Sequence, residues 1–353
     1  MNLPAEDKLP RIPAEWEEQE AVWMTWPSQE WWKGARNEAI DAFAKLAAAI
    51  SRFEKLNINC VPEEESAIMR CIEKTPGAEA KRIKLYSHPT NDAWCRDSGC
   101  LFRLSPSGLL QALDFSYNAW GGKFPPWDLD DALAEKMAEA AGAELIDARE
   151  LTLEGGALEF DGAGTLLTTE CATLTKSRNP GLSKSGAEAL FEKYFGVRNV
   201  IWLPEGLAND DTDGHIDNIA RFAPGGKILA AVCDDSNPSS SILKRNLEIL
   251  ASSRDSGGRK FDIIELPLPQ EPIYATYYDG EERRLPASYA NYLLVNGGLI
   301  MPSYGGDSDR IAAERLSCAF PGRSIVMVDS RIFLREGGAV HCLTQHQPRC
   351  ATI

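Results

Sequence analysis

Five side chains carry enough chemistry to start from: Cys342, His215 and three carboxylates, Asp97, Glu154 and Asp217. Once ionised, cysteine is the strongest nucleophile among the side chains. A histidine partner raises its thiolate fraction or acts as general acid and base. One imidazole does not need two flanking acids to orient it, so Asp97 and Asp217 together point elsewhere. Paired carboxylates suit a planar cation with forked N–H donors, since each accepts a bidentate pair from a guanidinium. The set reads as machinery for nucleophilic attack on a guanidinium or amidine carbon.

Other readings of the same residues stand beside this one. "NDDTDGH", residues 209–215, is rich in Asx-turn formers, so Asp213 and His215 could be capping and turn residues. A zinc site from His215, Asp217 and Cys342 is a rival, but it lacks the short paired-ligand spacings of such sites. Cys60, Cys71, Cys171, Cys233 and Cys318 are read as small buried hydrophobes.

The five residues are far apart in the chain, so the fold must gather them. Four stretches read as hairpins: "LFRLSPSGLLQAL", "ALEFDGAGTLLTT", "NIARFAPGGKILAAV" and "YLLVNGGLIMPS", each turning at Gly with Ser, Pro, Asp or Asn. Helices are expected in "ARNEAIDAFAKLAAAISRFEKL", with Ile40, Phe43, Ala47 and Ile50 on one face, and in "DLDDALAEKMAEAAG", from an Asp128 N-cap to Gly142. "SKSGAEALFEKYFG", "SSSILKRNLEILASS" and "DRIAAERLSCAF" read the same way. Hairpin, helix and strand form a unit that recurs four times. A fifth would be split between "AVWMTWP" near the start and "AVHCLTQ" near the end. Repeats that close on themselves make a ring with a central channel. Asp97, Glu154 and His215 stand just ahead of three hairpins, in matching places. The string Glu-Gly-Gly-Ala before the first strand of "LEGGALEF" recurs in "REGGAVHCLTQHQP", which delivers His341 and Cys342 to the same centre.

Composition bounds the function. The chain has 353 residues, 44% of them hydrophobic, enough for a substantial core. A formal charge of −15 argues against a nucleic-acid partner. It suits a cationic small molecule by electrostatic steering, or simply keeps a protein soluble. No run of eighteen apolar residues suggests a membrane span, and the acidic, Pro-rich start "MNLPAEDKLPRIPAEW" does not read as a signal peptide. Nine cysteines without a CxxC pair read as reduced thiols of a cytoplasmic protein.

The stretches "WCRDSG", "SYNAWGGK", "LEGGALEFDGAGTLLTTECATLTKSRNP", "WLPEGLANDDTDGHIDN" and "GGAVHCLTQHQP" together resemble the agmatine deiminases, of the group shared with bacterial-type peptidylarginine deiminases. The resemblance runs from about Pro13 to Pro348. It implies an α/β pentein fold over residues 1–353 as one catalytic domain: five ββαβ-like modules in a pseudo-fivefold ring around an active-site channel. It also implies hydrolysis of agmatine to N-carbamoylputrescine and ammonia, a step of putrescine and polyamine synthesis, with no metal or cofactor, by a homodimer. Carried over by motif, Cys342 is the nucleophile, His215 the general acid and base, and Asp97 and Asp217 grip the guanidinium. Glu154 holds the guanidinium and His215 in place, Asp211 meets the distal ammonium, and Trp94 and Trp120 wall the aliphatic part. The sequence departs from the family's usual pattern at Asp211 (commonly Glu), Cys100 (Pro), Ala157 and Ala339 (Asn) and His346 (Gln). These departures bear on substrate identity, leaving an arginine or peptidyl-arginine deiminase, or a non-catalytic cation-binding protein, as alternatives.

Overall fold

The computed structural model describes residues 9–27, 32, 34–276 and 280–350; the first eight residues of the Pro-rich start lie outside the described residues. β1 (Gln19–Thr25) lies between antiparallel β18 (Thr344–Pro348) and parallel β2 (Lys55–Cys60), with β3 (Ile83–Ser87) parallel beyond it. The split unit expected from the two chain ends therefore forms, with Val22 opposite His346 and Met24 opposite Thr344.

The other four units share one plan. In the first, β4 (Leu101–Leu104) and β5 (Leu110–Ser116) pair antiparallel and β6 (Glu144–Thr152) joins β5 in parallel. The same order holds for β7 (Glu159–Phe160), β8 (Thr165–Thr169) and β9 (Asn199–Leu203), and for β10 (Ala220–Ala223), β11 (Lys227–Val232) and β12 (Asp262–Pro267). β13 (Tyr274–Thr276) and β14 (Glu282–Arg284) form an additional pair, and β15 (Leu293–Val295), β16 (Gly298–Ser303) and β17 (Ser324–Asp329) complete the last unit. All four expected hairpins are present at their expected turns. These five ββαβ modules make the pentein fold that the resemblance implied.

A parallel third strand demands a crossover, and a helix supplies it in each module: Arg36–Ser51, Leu133–Ala141, Lys184–Phe195, Ser240–Ser252 and Asp307–Ala319. The helix Lys184–Phe195 shows why these segments fold. Ser183 accepts from the Gly186 N–H at 3.1 Å as N-cap, and Ala187, Phe191, Tyr194 and Phe195 are buried against the sheet. Each such aromatic stabilises the module by roughly 2–3 kcal/mol. On Arg36–Ser51, Phe43, Ala47 and Ile50 are buried and Ile40 is half-buried.

Two expectations need correction. The helix expected from Asp128 is interrupted: a turn, Asp128–Asp131, precedes the helix Leu133–Ala141, and Asp128 caps neither. Asn91 supplies the cap from far along the chain, its Oδ1 accepting from the Leu129 N–H at 2.8 Å, while Asp130 Oδ1 accepts from the N–H groups of Asn91 and Asp92. Gly142 does end that helix, with φ +65°. Of the cysteines read as buried, Cys60 is buried and Cys71, Cys171 and Cys233 are half-buried, but Cys318 is exposed. Its helix buries the face bearing Ser308, Ala312, Leu316 and Ala319 instead.

Candidate active site

Every module sends a polar side chain toward the axis from the segment just ahead of its first hairpin strand. Asp97 comes from the helical turn Cys95–Ser98 before β4, and Glu154 precedes the short turn Gly155–Ala157 before β7. His215 caps and Asp217 lies within the turn Ile216–Asn218 before β10, and His341 and Cys342 stand just ahead of β18. The fifth contribution is Asn291, two residues ahead of β15 as Cys342 is two ahead of β18. All of these are buried.

The sequence-predicted five do come together. His215 Nδ1 lies 3.7 Å from Asp97 Oδ1 and Nε2 lies 3.8 Å from Glu154 Oε2, ion-pair distances too long for hydrogen bonds. The Cys342 thiol donates to Asp217 Oδ2 at 3.7 Å. Among the described residues, both His215 nitrogens and Asp217 Oδ1 are buried without a hydrogen-bond partner in the protein. Buried polar atoms are nearly always paired, so a bound ligand is expected to supply the missing partners, an N–H donor for Asp217 Oδ1 among them.

Gly156 makes the convergence sterically feasible. A Cβ there would meet His215 Nδ1 at 2.5 Å, Asp97 Oδ1 at 2.9 Å and Asp217 Oδ2 at 3.2 Å, and its own N–H donates to Asp97 Oδ1 at 3.1 Å. The recurring Gly pair thus removes side chains where the reactive groups crowd.

The charges follow from the surroundings. Burial would depress the His215 imidazolium, but Asp97, Glu154 and Asp217 override it and lift the group to about 9. Burial pushes Asp97 up to about 6, against the pull of His215. Burial also opposes ionisation of Glu154, yet Arg178 and His215 hold it below its ordinary value. Asp217, buried likewise, is kept low by His341 and His215. Burial, then Asp217 and Asp97, hold the Cys342 thiol well above the usual thiol range. At neutral pH the site has one imidazolium, three carboxylates and a thiol, an excess of negative charge matched to a cation.

Several partners were not legible beforehand. Arg178 Nε donates to both Glu154 oxygens at 2.7 and 2.9 Å, and its other nitrogens reach Asp213 Oδ2 and the Thr212 carbonyl. The Asx turn expected in "NDDTDGH" falls to Asp210, which accepts from the Thr212 N–H and hydroxyl, while Asp213 pairs with Arg178 and Lys123. His341 sits between Asp217 Oδ2 at 2.7 Å and Glu15 Oε2 at 2.8 Å. Glu15 also takes Arg221 Nη2 at 2.8 Å. Nothing about Glu15 signals this, since it lies on a segment outside the repeat. Asn291 could have been found by aligning "SYANY" with the segments ahead of the other hairpins. No three His, Cys, Asp or Glu side chains among the described residues are arranged to hold a metal, so the zinc set lacks the geometry it needs.

From Cys342 and Asp97 a cavity of about 420 Å³ opens outward between Trp94 and Trp120 to Asp211, Lys123, Arg335 and Glu336. Trp120 Nε1 donates to Asp97 Oδ2 at 3.0 Å, so one wall is tied to a buried acid of the cavity. The mouth is not lined by acids alone, as Asp211 by itself suggested. Lys123 stands there with its ammonium on Asp213 and on the Asp211 carbonyl, and Arg335 is exposed at the rim.

Residues 11–348 match the sequence model of the Porphyromonas-type peptidyl-arginine deiminase family. The chain is 36% identical to the agmatine deiminase of Pseudomonas putida F1, over 96% of this chain and 95% of the relative. Among solved structures, agmatine deiminase of Enterococcus faecalis superposes with a TM-score of 0.90 at 32% identity, covering 99% of this chain and 98% of the other. A substrate-bound agmatine deiminase of C. jejuni gives 0.88 at 33% identity over all of both chains.

Proposed function

The chain belongs to the Porphyromonas-type peptidyl-arginine deiminase family, and we infer from its site that it hydrolyses the guanidinium of agmatine to N-carbamoylputrescine and ammonia. One observation carries the reading: Cys342 and the buried carboxylate of Asp97 line a Trp-walled cavity, with Asp217 directly against Cys342 and His215 against Asp97. The relatives named agmatine deiminase, aligned over nearly the whole chain, support the same substrate.

In this mechanism the planar cation lies between Asp97 and Asp217, with Glu154 near its inner N–H groups. Its positive charge offsets the carboxylates that hold the Cys342 thiol high, and the thiol proton departs to solvent. The thiolate attacks the guanidinium carbon, and His215, cationic at neutral pH, protonates the departing amine as ammonia. Water then attacks the amidino-thioether, His215 takes its proton, and collapse returns the electron pair of the S–C bond to sulfur and frees the ureido product. Splitting one displacement into two is the advantage of covalent catalysis, and fixed carboxylates localise the charge of the resonance-stabilised cation. Trp94 and Trp120 would enclose the aliphatic chain, and Asp211 would face the ammonium.

The full reading takes the chain as one cytoplasmic catalytic domain that works as a homodimer without metal or cofactor, in putrescine and polyamine synthesis. Among the described residues no helix is long and apolar enough to cross a membrane. A second reading, deimination of arginine or peptidyl-arginine, draws support from Lys123 and Arg335 at the mouth, where a substrate carboxylate would sit. A non-catalytic cation binder is disfavoured because every reactive residue type is present and converges. Ammonia release from agmatine, L-arginine and a blocked peptidyl-arginine tests all three: agmatine turnover is expected, preference for an arginine substrate supports the second, and no turnover the third.

A further inference from the structure

Resting on Cys342 as the nucleophile, we propose that Asn291 is a further catalytic residue, whose side-chain amide N–H stabilises the Cys342 sulfur as a thiolate in both half-reactions. Asn291 is 1% exposed and all of its amide is engaged. Its Oδ1 accepts from the backbone N–H groups of His341 at 3.0 Å and Cys342 at 3.3 Å. Its Nδ2 lies 3.0 Å from Asn218 Oδ1 and 3.0 Å from Cys342 Sγ.

Two independent constraints fix which end of the amide faces the sulfur. Backbone N–H groups only donate, so the atom facing His341 N and Cys342 N is the oxygen. On the other side, Asn218 Nδ2 donates to Asp210 Oδ2 at 3.2 Å, which turns Asn218 Oδ1 toward Asn291 as an acceptor. Both assignments leave an N–H of Asn291 aimed at Sγ. A thiol sulfur is a weak acceptor and a thiolate a strong one, so the site carries a directional donor built for the ionised form.

The need for that donor is on the same page. Burial opposes ionisation of the thiol, and so do the Asp217 carboxylate, which accepts its S–H, and Asp97. The Ala339 backbone and the Asn291 amide favour the anion, and Asn291 is the side-chain donor among them. When substrate charge arrives and the proton leaves, Asn291 keeps a donor on the anion. As the S–C bond forms from the sulfur lone pair and the C–N bond breaks toward ammonia, sulfur loses its charge. When the S–C bond breaks, its electron pair returns to sulfur opposite the same N–H. Asn291 thus stabilises both the attacking and the leaving thiolate, by the logic of a preorganised donor aimed at developing charge.

The test uses the full-length enzyme with two variants and iodoacetamide as thiol probe, modification being mapped to Cys342 by peptide mass. Asn291→Leu removes donor and acceptor. Asn291→Asp keeps an acceptor for both backbone N–H groups but presents oxygen to the sulfur, and serves alone if the Leu variant does not fold. The expected result is that the alkylation midpoint moves at least about one pH unit higher, with kcat about 100-fold lower and KM for agmatine nearly unchanged. A residue that only positions the backbone would lower kcat without moving that midpoint. Wild-type midpoints in the folded variants overturn the proposal. Turnover retained in Cys342→Ser would instead overturn the nucleophile assignment itself, whatever Asn291 does.

Discussion

The Sγ of Cys342 lies 3.7 Å from Oδ2 of Asp217, so the proposed nucleophile and one of the acids proposed to hold the guanidinium are in direct contact. In the free protein burial, and then that neighbour, hold the thiol well above its usual range. With a cation against Asp217, the same closeness brings positive charge beside sulfur, and the nucleophile ionises where its target is bound. Replacing sulfur by oxygen keeps nearly the same shape but puts a far less acidic and less nucleophilic group in its place. Cys342→Ser is expected to lower kcat at least about 10⁴-fold with folding intact. In His215→Ala, intact-mass analysis should find an amidino adduct on Cys342, because the second half-reaction loses its base. An adduct mapped to another cysteine would refute the assignment.

His215 and Asp97 are both displaced upward, and between them they set a pH window. Asp97, lifted to about 6 by burial, loses its charge below that pH and with it the grip on the cation. His215, lifted to about 9 by Asp97, Glu154 and Asp217 despite burial, loses the proton owed to ammonia above that pH. A plot of kcat/KM against pH should be flat between about 6 and 9 and fall on both sides, since it reports the free enzyme. The His215 value is raised on folding, so its stabilising effect is complete below the unfolded value and fades as pH rises through about 9. A descending limb near 6.5 would show that the three acids do not act on His215 as the geometry indicates.

The hairpins, the split module and four of the five axial contributions could be read because they rest on local signals: turn residues, alternation, and a Glu-Gly-Gly repeat. Asp128 misled because its cap comes from Asn91, a contact made only in three dimensions. Arg178 and Glu15 were illegible for the same reason: each meets its carboxylate or imidazole only through the folded chain, and no spacing encodes that. Cys318 shows the limit of residue-type averages, since an amphipathic helix exposes whatever falls on its outer face.

Gly156 offers a test of how tightly the acids and the imidazole are gathered. A methyl group there falls within 3.2 Å of Asp97, Asp217 and His215 together. None of these can withdraw without losing its place at the cation. Gly156→Ala is expected to lower kcat about 100-fold or more, since misplacing reacting groups by about 1 Å costs that much. Activity near wild type would mean that the groups have room the structure does not give them.

Arg178 is fully buried and is the guanidinium that holds Glu154 ionised, while also clasping Asp213 and the Thr212 carbonyl. Arg178→Ala strands a buried carboxylate and loosens the loop that carries His215. Breaking such a pair typically costs about 3–5 kcal/mol, so a matching fall in denaturation free energy is expected. Arg178→Met should lose as much, because its thioether fills volume but pairs with nothing. Unchanged stability in both would separate Glu154 from the role of Arg178.

The cavity mouth decides which guanidine enters. Asp211 lines the same cavity as Cys342, beside the Gly337 backbone, and agmatine would place its ammonium there. Burying that charge without an acid costs several kcal/mol. L-Arginine adds a carboxylate at the same carbon, which Asp211 repels; Lys123 is already committed to Asp213 and the Asp211 carbonyl, and Arg335, 4.0 Å from Glu38 at the rim, is the cation left to meet it among the described lining residues. Asp211→Asn removes the attraction and the repulsion at once. It should cut kcat/KM for agmatine about 10- to 100-fold, mainly through KM, and narrow the margin over L-arginine. The measurement is kcat/KM for agmatine, L-arginine and a blocked peptidyl-arginine on both proteins. If the wild type prefers an arginine substrate, or if Asp211→Asn leaves the agmatine preference untouched, the mouth is read wrongly. The thiol chemistry at its floor would stand regardless, because Cys342, His215 and their carboxylates act on the guanidinium and not on what lies four methylenes away.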